Sequence, residues 1–171
     1  MTMEAVRAEE REAFEDRVRG LLPIAYRLAY GMLRSSHEAE DAVQESLLNA
    51  WRAQHRLRPG SDFRPWFLTI VANQCRQRRR SRWWSVVKGA DVSGAAAPEP
   101  GDASAAADVR RALARLPHDQ RLVVVLRYYL DLPLEDVGRT LGISSKAAKS
   151  RVHRALDRLR AQVPEVLDDE R

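Results

Sequence analysis

The spacing of small and apolar residues between Leu134 and Leu159 restricts what this stretch can form. Leu134, Val137 and Leu141 recur at i, i+3 and i+7, the period of one buried helix face. Gly138 places a small residue where two helices cross, and Gly142 follows four residues later, where a sharp inter-helix turn favours glycine. Ile143 then plugs the turn, and Ser144 or Ser145 can cap a second helix. That helix has its own apolar stripe in Ala148, Val152, Ala155 or Leu156, and Leu159. The expectation is a helix-turn-helix. Its second helix presents Lys146, Lys149, Ser150 and His153, flanked by Arg151 and Arg154, and Asp157 is the one acid between Ile143 and Arg160. A solvated basic face has the same charge, so charge alone does not separate the readings. The glycine spacing favours a recognition helix. Its N-terminal residues, from Ser144 and Ser145 onward, would meet base edges in a major groove, and its longer basic side chains would reach phosphates.

Charge along the rest of the chain points the same way. The 171 residues carry a net charge of +5, unevenly distributed. Arg76 to Lys88 holds six basic residues and no acid, while residues 89–108 hold Asp91, Glu99, Asp102 and Asp108 and no base. Two positive islands in a mixed background suggest two contacts with a polyanion. The single cysteine, Cys75, excludes an intramolecular disulfide and a cysteine-based zinc cluster. The N-terminal MTMEAVRAEEREAFEDR lacks an apolar signal core, and no apolar run is long enough to span a bilayer, so a soluble, cytoplasmic protein without membrane insertion is expected.

The pattern predicts an all-α chain of two small helical domains, 9–84 and 108–163, joined by a flexible linker over 85–107. From Glu9 to Arg34, apolar residues from Phe14 to Leu33 recur at three- and four-residue steps, with Pro23 bending or breaking the helix. A capped helix follows, with Ser35 or Ser36 as N-cap and a buried stripe of Ala39, Ala42, Val43, Leu47, Ala50 and Trp51. HRLRPGSDFRP reads as a loop. The next helix runs from about Pro65 to Arg82 and then dissolves into the arginine run. The linker is rich in Ala, Gly, Pro and Ser, and its 23 or so residues reach at most ~75 Å extended. Beyond it, DVRRALARL forms a short helix ended by Pro117. HDQRLVVVLRYYL could be a strand in isolation, but its flanks and short connections favour a helix.

The stretch LARLPHDQRLVVVLRYYLDLPLEDVGRTLGISSKAAKSRVHRALDRLR resembles region 4 of the bacterial sigma-70 family, in particular its extracytoplasmic-function group. KSR stands at Lys149–Arg151 as in that group, but Lys146, Ala147 and Ala148 replace the usual residues before it. AEDAVQESLLNAWR, residues 39–52, is similar to region 2.2, and FRPWFLTIVANQCRQRRRSRWW, residues 63–84, to regions 2.3 and 2.4. The resemblance implies an RNA polymerase sigma factor without cofactors. Asp41, Gln44, Glu45 and Leu48 would contact the β′ clamp helices of core polymerase, with the β flap as a further polymerase partner. Arg64, Asn73, Arg76, Arg78, Arg79 and Arg80 would serve the −10 promoter element, and the loop 54–63 would help form a base pocket on the non-template strand. Ser144, Ser145, Lys146, Lys149, Ser150, Arg151, His153 and Arg154 would serve the −35 duplex. The linker would bridge about two duplex turns, roughly 60–70 Å. An anti-sigma factor is a further implied partner.

Without the resemblance, the acidic side of the region 2.2 segment reads better as a solvated face, and the resemblance reverses that preference. Trp66 and Phe67 read as core residues rather than stacking platforms, Cys75 as an inert, partly buried thiol, and Trp83 and Trp84 fit either role. A stand-alone dimeric helix-turn-helix repressor is the competing function. An enzyme is disfavoured: the sequence has no phosphate-binding glycine motif, and His37, His55, His118 and His153 are not at metal-ligand spacing.

Overall fold

The computed structural model describes residues 3–87 and 105–162, and all regular structure among them is helical. The chain divides into two compact units, Met1–Cys75 and Arg76–Arg171.

The first unit contains α1 (Met3–Arg19), α2 (Leu22–Leu33), α3 (Ser36–Ala53) and the beginning of α4 (Phe63–Val87). The periodic segment before Arg34 is thus two helices. The break falls at Gly20 and Leu21, and Pro23 sits in the first turn of α2, where its missing N–H costs no helical hydrogen bond. Ser35 caps α3, its Oγ accepting from the Glu38 amide at 3.3 Å. α2 and α3 pack against each other, and α3 contributes mainly small buried residues (Ala39, Ala42, Ser46, Ala50) that allow close backbone approach. The buried Ser46 hydroxyl donates to the Ala42 carbonyl at 2.6 Å, so no polar group is orphaned there. Leu28, Met32 and Phe67 are fully buried, each worth about 1.5–3 kcal/mol of transfer free energy.

One expectation is overturned in α4. The helix does not dissolve at the arginine run but continues through it to Val87. No glycine or proline lies between Trp66 and Val87, and arginine and glutamine are good helix formers, so nothing local ends the helix. Helix also encroaches on both ends of the expected linker, since α5 opens at Ala105. The intervening residues 88–104, the side chains of Trp83 and Trp84, and the acidic tail from Glu165 lie outside the described residues.

The second unit holds the rest of α4 from Arg76, α5 (Ala105–Arg115), α6 (His118–Val124), α7 (Leu134–Leu141) and α8 (Ser145–Arg160). The valine-rich run is helical, and it widens at its end into a π-helical turn, Val125–Tyr129. Residues 121–126 are all buried, as in a helix enclosed by its neighbours, and α6 packs on α8. Arg121, 4% exposed, turns its guanidinium to the C-terminal carbonyls of α5: Nε donates to Leu113 at 2.7 Å, and the same group reaches Ala114. It thereby satisfies acceptors that a helix end leaves open.

Candidate nucleic-acid interface

The turn between α7 and α8 follows from its two glycines. Gly142 has φ +66°, a left-handed conformation that a side chain disfavours. Its residue pair closes α7: Ile143 N–H donates to the Gly138 carbonyl at 2.9 Å and Gly142 N–H to Arg139 at 3.3 Å. At Gly138 a Cβ would lie 2.7 Å from the Ile143 carbonyl oxygen and 3.2 Å from the Ser145 nitrogen. The small residue is therefore required by the turn backbone folding onto α7. Ser144 caps α8, its Oγ accepting from the Ala147 amide at 3.2 Å.

α8 is anchored by Ala148, Val152, Ala155 and Leu159. Its free face carries Lys146, Lys149, Ser150 and His153 at i, i+3, i+4 and i+7, all exposed, with Ser145 and Arg154 exposed beside them. Arg151 is half-buried and lines a pocket with Arg154, Asp119 and Gln120. Gln120 also accepts from Arg158 at 3.2 Å. Sequence reasoning passed over Asp119 and Gln120, which approach the basic helix from α6. Ser144 is exposed, but its hydroxyl is committed to the cap.

α4 separates a buried face from an exposed one. Phe67, Leu68, Val71, Ala72, Gln74 and Cys75 are buried, whereas Asn73, Arg76, Gln77 and Arg80 are exposed at i, i+3, i+4 and i+7. Arg78 and Arg79 are half-buried on the other side of the helix, so the arginine run does not form one surface. Gln77, which was not singled out from sequence, belongs to the exposed row. Arg76 is ion-paired with Asp119. Arg64 is half-buried at the start of α4, its amide donating to Asp62 Oδ1 at 3.1 Å. Phe67 is a core residue, Trp66 is half-buried, and Cys75 is fully rather than partly buried.

On α3, Asp41, Gln44, Glu45 and Leu48 also fall at i, i+3, i+4 and i+7 and share one face. Leu48 is 55% exposed at the end of this row, one turn beyond Gln44 and Glu45. His37 Nδ1 lies 3.5 Å from Asp41 Oδ2. Glu45 is not directed wholly outward: its carboxylate accepts from the amide of the buried Gln74 on α4. That tie, between residues far apart in sequence, was not foreseen.

His118, the first residue of α6, is held neutral. Its pKa is lowered to about 4, first by burial and then by the charges of Arg76 and Arg79. Neither ring nitrogen has a hydrogen-bond partner among the described residues.

The chain matches the family model for sigma-70 region 2 over residues 17–85 and that for sigma-70 region 4 over 112–161. It is 32% identical over 168 residues to RNA polymerase sigma factor CarQ of Myxococcus xanthus, covering 96% of this chain and 97% of that one. It is 35% identical over 153 residues to ECF RNA polymerase sigma factor SigL of Mycobacterium tuberculosis, covering 84% of each. Among solved structures, the sigma factor RpoE in complex with the anti-sigma factor NepR from Bartonella quintana superposes with a TM-score of 0.70 at 29% identity, over 94% of this chain and 99% of that one. The chain belongs to the sigma-70 family of RNA polymerase sigma factors, in its extracytoplasmic-function group. Its function is transcription initiation as a sigma factor of RNA polymerase. Among the described residues, no helix is long and apolar enough to cross a membrane.

Proposed function

We propose that this chain divides promoter recognition between two helices, α4 and α8. The α8 face of Ser145, Lys146, Lys149, Ser150, His153 and Arg154, with Arg151 at its edge, reads the −35 duplex from the major groove. The α4 row of Asn73, Arg76, Gln77 and Arg80, with Arg64 and the loop expected over 54–63, of which Gln54–Arg56 form a 3-10 turn and 57–62 remain loop, holds the opened −10 strand. The α3 face of Asp41, Gln44, Glu45 and Leu48 docks on the β′ clamp helices of core polymerase, and the second unit meets the β flap. The observation that carries this reading is the α7–α8 turn, whose close approach at Gly138 and left-handed Gly142 set an exposed basic row on a fixed frame. The half-exposed Leu48 within the α3 face supports a protein partner there, since an apolar side chain among polar neighbours gains by burial. An anti-sigma factor is a second partner, supported by the co-crystallised NepR on the similar RpoE. The chain performs no covalent chemistry itself and works in the cytoplasm.

In vitro transcription with core polymerase tests the reading. Core polymerase loaded with this chain starts at discrete promoters, and the Lys149→Ala, Arg151→Ala double variant loses at least tenfold of −35 duplex affinity, because removing a side chain that holds a base or a phosphate costs ~1 kcal/mol or more. Non-specific initiation with the wild-type chain, or unchanged duplex binding by the double variant, overturns it.

A further inference from the structure

An aromatic and cationic cluster in the first unit joins α1 to the last turn of α3 and the first turn of α4, the two helices the loop connects. The loop is locally built. Leu57 N–H donates to Gln54 and Ser61 N–H to Arg58, each at 3.0 Å, Gly60 adopts φ +79°, and Asp62 caps the start of α4. Trp51 lies in the last turn of α3, separated from the loop by the 3-10 turn Gln54–Arg56, and Phe63 directly follows the loop. Phe14 of α1, 6% exposed, sits edge-on to both rings, with centroids 5.3 Å from Trp51 and 6.1 Å from Phe63. One turn further along α1, the exposed Arg17 places its guanidinium carbon 4.3 Å from the Phe63 ring centroid. Phe63 in turn packs on Trp66 and Phe67 of α4, at 5.3 and 6.0 Å. A guanidinium at that distance over a ring is an attractive cation–π contact, and edge-on aromatic pairs fix ring orientation. Two side chains of α1 therefore set where the loop leaves α3 and enters α4.

We propose that Arg17 and Phe14 are positioning residues for the −10 strand. They act through Phe63 to hold the loop 57–62 in the conformation that receives an extruded base, and Arg17 does not itself contact the DNA. This rests on the assignment of the loop and α4 to the −10 strand made above. Phe14 lies before the residues matched by the region 2 model and Arg17 is the first of them, so the brace adds α1 to the strand-holding apparatus.

The test uses the full chain assembled with core polymerase. Arg17→Ala, Arg17→Lys, Phe63→Leu and the Arg17→Ala, Phe63→Leu double variant are compared for core affinity, −35 duplex affinity and permanganate reactivity of unpaired −10 thymines. Trypsin cleavage after Arg56 in the free chain reports loop order directly. Arg17 is exposed, so its variants fold, whereas Phe14→Ala would confound the result by emptying part of the core. Arg17→Ala is expected to lower −10 opening about threefold and to speed cleavage by a similar factor, with core and −35 affinities unchanged. Arg17→Lys recovers part of the loss. In the Phe63→Leu background, Arg17→Ala has no further effect. Unchanged cleavage overturns the brace whatever the promoter result. An equal loss of opening with or without Phe63 also overturns it, because it makes Arg17 a direct DNA contact. If cleavage responds as expected but wild-type holoenzyme opens no promoter, the brace stands as a structural contact, while its role in strand holding fails along with the −10 assignment.

Discussion

The two polar rows of this chain, on α4 and on α8, look alike as sequence and differ as structure. Each is a helix face with residues at i, i+3, i+4 and i+7 and an arginine-rich neighbourhood. The α8 row is oriented by backbone at its start, through the two glycines of the turn, and a serine cap and a buried Ala–Val–Ala–Leu stripe then leave it little freedom. The α4 row is fixed by side chains, through Phe67, Val71 and the Gln74–Glu45 hydrogen bond. A duplex groove has a regular shape that a rigid helix can match, whereas an opened strand must be gathered from several directions. The difference teaches that single substitutions should hit the first surface through stability and the second through local rearrangement.

The largest effect is expected at the backbone-fixed end. Gly138→Val sets a branched side chain where even a Cβ lies 2.7 Å from a main-chain oxygen, which cannot move as a flexible side chain would. Destabilisation of the second unit by about 3 kcal/mol is expected, with Gly138→Ala intermediate. Urea unfolding followed by circular dichroism, paired with −35 duplex titration, checks this. Wild-type stability for the valine variant would remove the claim that backbone contact defines this surface. On the side-chain-fixed unit, Leu48→Asp should leave the fold intact, since the residue is 55% exposed, while weakening core polymerase binding by roughly tenfold, about 1.4 kcal/mol. Fluorescence titration of core polymerase decides it; unchanged affinity would return the α3 face to a solvated surface.

The same contrast explains what could be read in advance. The helix-turn-helix was legible because a left-handed turn and a close backbone approach each favour glycine, and glycine is visible in a sequence. The helical class was legible from periodicity, and serine before an apolar run narrowed the caps to Ser35 or Ser36 and to Ser144 or Ser145, between which the structure chooses Ser35 and Ser144. The helix expected to end near Arg82 runs on to Val87, because arginine itself favours helix and no glycine or proline follows before that point. Arg78 and Arg79 could not be separated from Arg76 and Arg80 without the helix phase. Gln74–Glu45 joins residues 29 apart and Arg121 caps a preceding helix through its backbone, and neither leaves a local sequence pattern. The roles proposed for the α3 and α4 faces rest on family resemblance alone, because a polar helix face at that spacing also describes an ordinary surface.

A smaller effect separates capping from DNA contact at Ser144. Its hydroxyl accepts from the Ala147 amide, so Ser144→Ala should cost about 1 kcal/mol of stability in the second unit. Ser144→Asn, which also caps, should restore most of it. Thermal unfolding gives both numbers. If Asn restores stability while duplex binding stays weak, Ser144 also touches DNA and belongs in the α8 row.

The smallest effect concerns pH, and it too distinguishes the units, because among the described residues the perturbed histidine lies in the second. Burial first, and then the Arg76 and Arg79 charges, lower the His118 pKa from 6.5 to about 4. Between those values the unfolded chain binds a proton that the folded chain refuses, so stability rises with pH across that interval. The contribution is fully present above pH 6.5 and is lost as pH falls toward 4. Partial solvent exposure screens it, leaving roughly 1 kcal/mol. His118→Gln removes the proton linkage, so the wild-type minus variant stability difference, followed by urea unfolding at pH 7, 6, 5 and 4, should fall steadily with acidity. A flat difference would mean that His118 is protonated alike in both states, and that the arginines beside it do not set its charge.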